Sequence, residues 1–83
     1  MNFVFILTDT QNKSLVGAYG NPRVDTPNLD RLAADGIRFD RAYTSSPVCT
    51  PARGAIFSGL HPQVNGAYCN NLAPHNHVAL MGT

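Results

Sequence analysis

Five consecutive apolar residues, Phe3-Val4-Phe5-Ile6-Leu7, run directly into the polar stretch Thr8-Asp9-Thr10-Gln11-Asn12. An unbroken apolar run of this length, rich in aromatic and β-branched types, describes a strand buried on both faces. Such strands belong to parallel sheets covered by helices on either side. Ligands of those sheets bind beyond the carboxyl ends of the strands, and Asp9 stands at that end. The demand is severe for a short chain, because 83 residues bury only about 60% of the surface that their unfolded form exposes. The segment therefore predicts an α/β architecture that is incomplete in this chain and marginally stable by itself.

The remaining composition agrees with core-forming material rather than disorder, with 43% of residues apolar and 13% charged. The formal net charge is +1 and the lysines and arginines are scattered. No electrostatic footprint for nucleic acid or an anionic membrane follows from that distribution. The first eight residues carry no positive n-region and no small-residue cleavage site, so they read as a strand and not as a signal. No apolar run approaches the roughly 20 residues of a membrane span. The expectation is a cytoplasmic chain with no nucleic-acid and no membrane partner. Two cysteines, Cys49 and Cys69, could close one disulfide, but nothing else points to an oxidising compartment.

Beyond the first segment, Gly17, Gly20, Asn21 and Pro22 punctuate a loop. Thr26-Pro27 then supplies an N-cap followed by proline at the first helical position. Leu29, Leu32 and Ala33 recur at helical spacing, and Gly36 falls where a left-handed C-terminal residue belongs, which predicts a helix over 27–35. Ile37 and Phe39 alternate with Arg38 and Asp40, predicting a short strand to Tyr43 with one buried face. The loop 44–49 leads into a second proline-started helix, with Thr50 as N-cap, Pro51 as first helical residue and Gly59 near its end. The stretch after Gly59 is too rich in Pro, Gly, Asn and His to show a period, and Val78 to Met81 begins another apolar run. With no repeat or linker, residues 1–83 read as one incomplete domain.

Cys49 thus lies at a helix N-terminus, where unpaired N–H groups and the positive end of the helix dipole favour anions. Arg53 lies in the first turn of the same helix, where a cation is disfavoured by up to about 1 kcal/mol. A bound anion removes that conflict. Guanidinium grips tetrahedral oxyanions in bidentate fashion, so Cys49 and Arg53 with the N–H groups between them can form a sulfate or phosphate pocket.

Cys49-Thr50-Pro51-Ala52-Arg53 resembles the sulfatase signature Cys-x-Pro-x-Arg, with alanine where many members carry serine. The surroundings match in the family's order: Ile6-Leu7-Thr8-Asp9, Gly17-Ala18-Tyr19-Gly20, Thr26-Pro27-Asn28-Leu29-Asp30-Arg31-Leu32-Ala33, Gly36-Ile37-Arg38-Phe39 and Ser58-Gly59-Leu60-His61-Pro62. The resemblance covers nearly the whole chain. It implies the amino-terminal part of a sulfatase catalytic domain, truncated here. The implied fold is alkaline-phosphatase-like, a mixed, mostly parallel sheet flanked by helices.

The resemblance further implies that a maturation enzyme oxidises Cys49 to formylglycine. The hydrated aldehyde attacks sulfur through one hydroxyl, and the second hydroxyl later expels sulfate, so one hard step becomes two. Arg53 is carried over as its catalytic companion. Asp9 matches the family's first metal ligand, for calcium in the first place or magnesium, with Cys49 in the same ligand set. Thr10 stands where the commonest pattern has a second aspartate, and either offers its hydroxyl or stays outside the shell. Asn70, twenty-one residues after Cys49, matches a polar position that in some relatives contacts the transferred group. The expected partners are a sulfated small molecule or carbohydrate and the maturation enzyme.

Two other readings stay open. Phosphonate monoester and phosphodiester hydrolases of the same superfamily share these features, and a truncated product could bind anions without catalysis. His61, His75 and His77 with the two cysteines show no zinc-ligand spacing. His61 reads as a turn residue, His75 and His77 as solvated, and Cys69 as a small packing residue. Further metal ligands, a lysine-histidine pair and a leaving-group histidine have no matching residues here, so the isolated chain is expected to be nearly inert.

Overall fold

The computed structural model describes residues 1–82, and the chain divides after Arg41 into two compact units. In the first unit, two short 3-10 turns, Lys13–Leu15 and Gly17–Tyr19, precede helix α1, Pro27–Asp35. The second unit carries helix α2, Cys49–Ser58, and a single turn, α3, Pro62–Asn65.

Helix α1 has the bounds that its sequence predicts, with Pro27 in the first turn, where its missing N–H and fixed φ cost nothing. Thr26 occupies the N-cap position without capping through its own side chain. Its hydroxyl accepts the Gly17 N–H at 2.8 Å and donates to Asp30 Oδ1 at 2.9 Å. The same carboxylate oxygen accepts the Ala18 N–H at 2.7 Å. The second 3-10 turn is thereby tied to the first turn of α1. Gly36 departs from expectation: at φ −123°, ψ −146° it is not left-handed, and its N–H closes the helix on Leu32 O at 3.0 Å.

No strand forms among the described residues, which corrects the two strand expectations, Phe3 to Leu7 and Ile37 to Tyr43. Phe3 is 86% exposed, Ile37 83% and Tyr43 89%. A strand needs the N–H and C=O groups of neighbours and apolar layers over its faces. In the described residues, neither segment has them. Residues 38–40 are instead held by polar contacts to the 3-10 turns. The Tyr19 hydroxyl donates to Phe39 O at 2.9 Å, Lys13 Nζ donates to Asp40 O at 2.8 Å, and the Arg38 guanidinium donates to Ala18 O and pairs with Asp40 at 3.1 Å. Lys13 and Arg38 also lie 4.9 and 5.2 Å from the Tyr19 ring centroid, within cation–π range.

The second unit has a small core built where α2, α3 and the following loop meet. Pro51, Gly54, Pro62, Asn65, Gly66 and Ala67 are buried there. The segment after Ser58 turns at Gly59, left-handed at φ 69°, and at Gly66, left-handed at φ 89°. It then runs back along α2 to that helix's amino end. Helix α3 is the element that the sequence left without a period: a single turn set by Pro62 after an extended His61.

Candidate active site

Helix α2 begins two residues earlier than its proline suggests. Val48 is the N-cap, extended at φ −109°, and its carbonyl accepts the Ala52 N–H at 3.0 Å. Cys49 and Thr50 are therefore in the first turn, and Thr50 is not the cap. The reason is a substitute cap from elsewhere in the chain: Asn70 Oδ1 accepts the Thr50 N–H at 3.0 Å, while the Thr50 hydroxyl lies 3.4 Å from Asn70 O. With the helix donor satisfied from outside, no local side chain has to do it.

The donors of this first turn can be accounted for one by one. The Val48 N–H goes to Ser46 Oγ at 3.3 Å, the Thr50 N–H goes to Asn70, and Pro51 has none. The N–H of Cys49 is left as the donor of this turn without a hydrogen-bond partner among the described residues. The Cys49 thiol is free and exposed. Arg53 follows it by four residues, on the same side of the helix one turn on, and is half-buried. Because Oδ1 of Asn70 faces a donor, its exposed amide nitrogen is the end left to donate elsewhere.

Cys49, Arg53 and Asn70 are thus brought to the amino end of one helix within one unit. Asp9 and Thr10 belong to the other unit, where both are exposed at the end of the 1–8 segment. Thr10 holds φ 50°, a left-handed conformation that costs a β-branched residue about 1–2 kcal/mol. Among the described residues, no group of three or more His, Cys, Asp or Glu side chains could hold a metal ion. Calcium takes six to eight oxygen ligands and magnesium six. The donor set present in this chain, Asp9 with the Thr10 hydroxyl, does not make such a shell.

Other expectations are settled by exposure. Cys69 is free and exposed, not packed as expected. His61 is exposed at the N-cap of α3, as a turn residue should be. His75 and His77 are exposed and stack on each other with ring centroids 5.5 Å apart. An open hollow of about 430 Å³ in the first unit is lined by Gly17, Ala18, Asp30, Ala33, Ala34 and Arg38, none of them an anticipated site residue. No helix among the described residues is long and apolar enough to cross a membrane.

The signal that sequence reading missed is Asn65. It is fully buried, and its amide joins three segments of the second unit. Its place before Gly66, in a loop dense with turn formers, gave it no periodicity and hence no prominence.

Comparison with known proteins places this chain in a family. The family model described as Sulfatase matches residues 1–82. Over 81 residues the chain is 49% identical to the uncharacterized sulfatase YidJ of Escherichia coli (strain K12), covering 98% of this chain and 16% of that protein. It is 38% identical over 82 residues to an ulvan-active sulfatase of Formosa agariphila, covering 99% of this chain and 16% of the relative. It is 41% identical over 75 residues to the N-acetylgalactosamine-6-sulfatase of Rattus norvegicus, covering 90% of this chain and 14% of the relative. No solved structure gives a significant match. The chain belongs to the sulfatase family, a family of sulfuric ester hydrolases. It spans about one sixth of the length of these relatives.

Proposed function

We propose that this chain forms the nucleophile-bearing part of a hydrolase of sulfate esters whose full-length parent acts on a sulfated carbohydrate or small molecule. The observation that carries the reading is Cys49 in the first turn of α2, with an unclaimed N–H of its own and Arg53 one turn on. Family membership and the relatives named as sulfatases support it. An exposed thiol at that place fits conversion of Cys49 to formylglycine by a maturation enzyme, which would supply a hydrated aldehyde as nucleophile.

The chain's own residues then divide the work. The Cys49 N–H and the α2 dipole attract the sulfate group to the helix end. Arg53 offers a planar fork to two sulfate oxygens and neutralises charge that builds as the S–O bond to the leaving alcohol breaks. Asn70 donates from its amide nitrogen to a third oxygen. Asp9, with Thr10 beside it, contributes to a divalent-metal shell, calcium or magnesium, that this chain does not complete. In the extended parent, Phe3 to Leu7 becomes a strand of an alkaline-phosphatase-like sheet, which would bring Asp9 to the ligand end. The isolated chain, without that sheet and shell, hydrolyses nothing measurable.

The test is the full-length parent produced with and without a formylglycine-generating enzyme, assayed on matched aryl sulfate, phosphodiester and phosphonate monoester substrates. The expected result is a mass loss of about 18 Da on the Cys49 peptide, from a thiol exchanged for an aldehyde, with sulfate the best substrate. Full activity with an unmodified thiol would overturn the formylglycine mechanism. Preference for the phosphodiester or phosphonate would move the protein to the neighbouring hydrolase class.

A further inference from the structure

The Asn65 side chain is the most completely used polar group in the second unit. It is 0% exposed. Its amide nitrogen donates to Ser58 Oγ at 3.2 Å and Leu60 O at 3.0 Å, and its Oδ1 accepts the Ala67 N–H at 2.8 Å. Its backbone carbonyl accepts the His75 N–H at 2.7 Å. Ser58 passes the connection on to α2, because its hydroxyl donates to Gly54 O at 2.6 Å. A Cβ added at Gly54 would stand 3.2 Å from Ala67 Cβ and 3.4 Å from Asn65 Nδ2, so Asn65 and Ala67 lie directly on the helix.

We propose that Asn65 is a positioning residue for the sulfate site, acting by fixing where the return segment lies along α2 so that Asn70 lands on the Thr50 N–H. The proposal rests on the reading of Cys49 and Asn70 as site residues. A buried amide with both donors and its acceptor satisfied has one arrangement that keeps all three bonds, and any slip of the segment leaves a buried polar group unpaired. Apolar packing alone would tolerate such a slip. Asn70 follows Asn65 by five residues. The anchor at the carboxyl end of α2 therefore sets the contact at its amino end.

The test uses the full-length parent at matched formylglycine content, with Asn65→Ala, Asn70→Ala and the double variant. The expected result is a fall in kcat/KM of about 10-fold or more for each single variant, with the double variant no worse than the poorer single. Losses that multiply would overturn the proposal, because a residue that only stabilises the unit does not act through Asn70. Amide hydrogen exchange at Thr50 supplies a second readout, independent of activity. Faster exchange at Thr50 in folded Asn65→Ala protein supports the positioning role, and unchanged protection overturns it. Ser58→Ala removes only one acceptor of the Asn65 amide and carries the same two readouts if Asn65→Ala does not fold. A parent that cleaves no sulfate ester would defeat the functional reading, while the Thr50 exchange arm would still decide whether Asn65 sets the register.

Discussion

Asn70 meets two demands with one side chain, and its two ends can be separated by substitution. Asn70→Asp keeps an oxygen for the Thr50 N–H and adds negative charge at a helix N-terminus, which contributes about 0.3–1 kcal/mol of stability. The same carboxylate has no N–H for a sulfate oxygen and repels the anionic ester. Unfolding of this variant should be unchanged or later, with kcat/KM down by at least about 10-fold. Asn70→Ala should instead lose about 1 kcal/mol in denaturant unfolding, as a missing cap does. Equal activity in Asn70→Asp would remove the amide from the site. Arg53 allows a sharper measurement. In parent protein matched for aldehyde, Arg53→Ala should lower kcat/KM at least about 100-fold, or roughly 2.7 kcal/mol. Arg53→Lys should recover only part, because an ammonium cannot reproduce the bidentate fork. Cys49 and Arg53 were legible as a pair because helical spacing and dipole logic act locally. The Asn70 cap was not, since the hydrogen bond to Thr50 spans twenty residues of chain.

At the scale of elements, legibility follows the range of the forces involved. The bounds of α1 came from Pro27, the apolar spacing and Gly36, although Gly36 closes the helix without the left-handed turn expected of it. The start of α2 shifted by two residues because its cap comes from Asn70 rather than from Thr50. The strands failed to appear for the opposite reason: the local pattern in Phe3 to Leu7 is strong, but a strand is completed only by partners. The loop after Gly59 depends on individual backbone positions, and two glycines distinguish conformation from space. Gly59 at φ 69° has nothing within 4 Å of an added Cβ, so Gly59→Ala should cost about 1 kcal/mol from the left-handed backbone alone. Gly66 at φ 89° would put that Cβ 2.5 Å from the His75 ring. Gly66→Ala should therefore cost at least about 2 kcal/mol, the excess coming from displacing the imidazole. Denaturant midpoints of the two variants in the full-length parent test the order. A Gly66→Ala protein no less stable than Gly59→Ala would show that His75 moves aside freely.

For the whole molecule, the exposed apolar residues carry the information. Large apolar side chains in 3–7, 37–43 and along α1 face solvent in this chain, whereas the buried centre of the second unit contains only small or polar residues. Burying a side chain of the Phe, Leu, Ile or Val class contributes about 1.5–3 kcal/mol, so these segments hold much of the stabilisation that this sequence can offer and leave it unrealised. Two of them, 3–7 and 37–43, are also the segments whose sequence reads as strand, so pattern and exposure there point to the same missing partners. In the full-length parent, the amides of Val4 to Leu7 should exchange slowly, close to the rate of global unfolding, as those of a central strand do. In the isolated 83-residue chain the same amides should exchange at nearly unprotected rates, and the exposed apolar surface should bind a hydrophobic dye. Comparable exchange of Val4 to Leu7 in both proteins would mean that the run is not a covered strand even when the chain is extended. Asp9 would then lose the scaffold proposed to hold it at the site, while the α2 arrangement of Cys49, Arg53 and Asn70, which lies within one unit, would be unaffected.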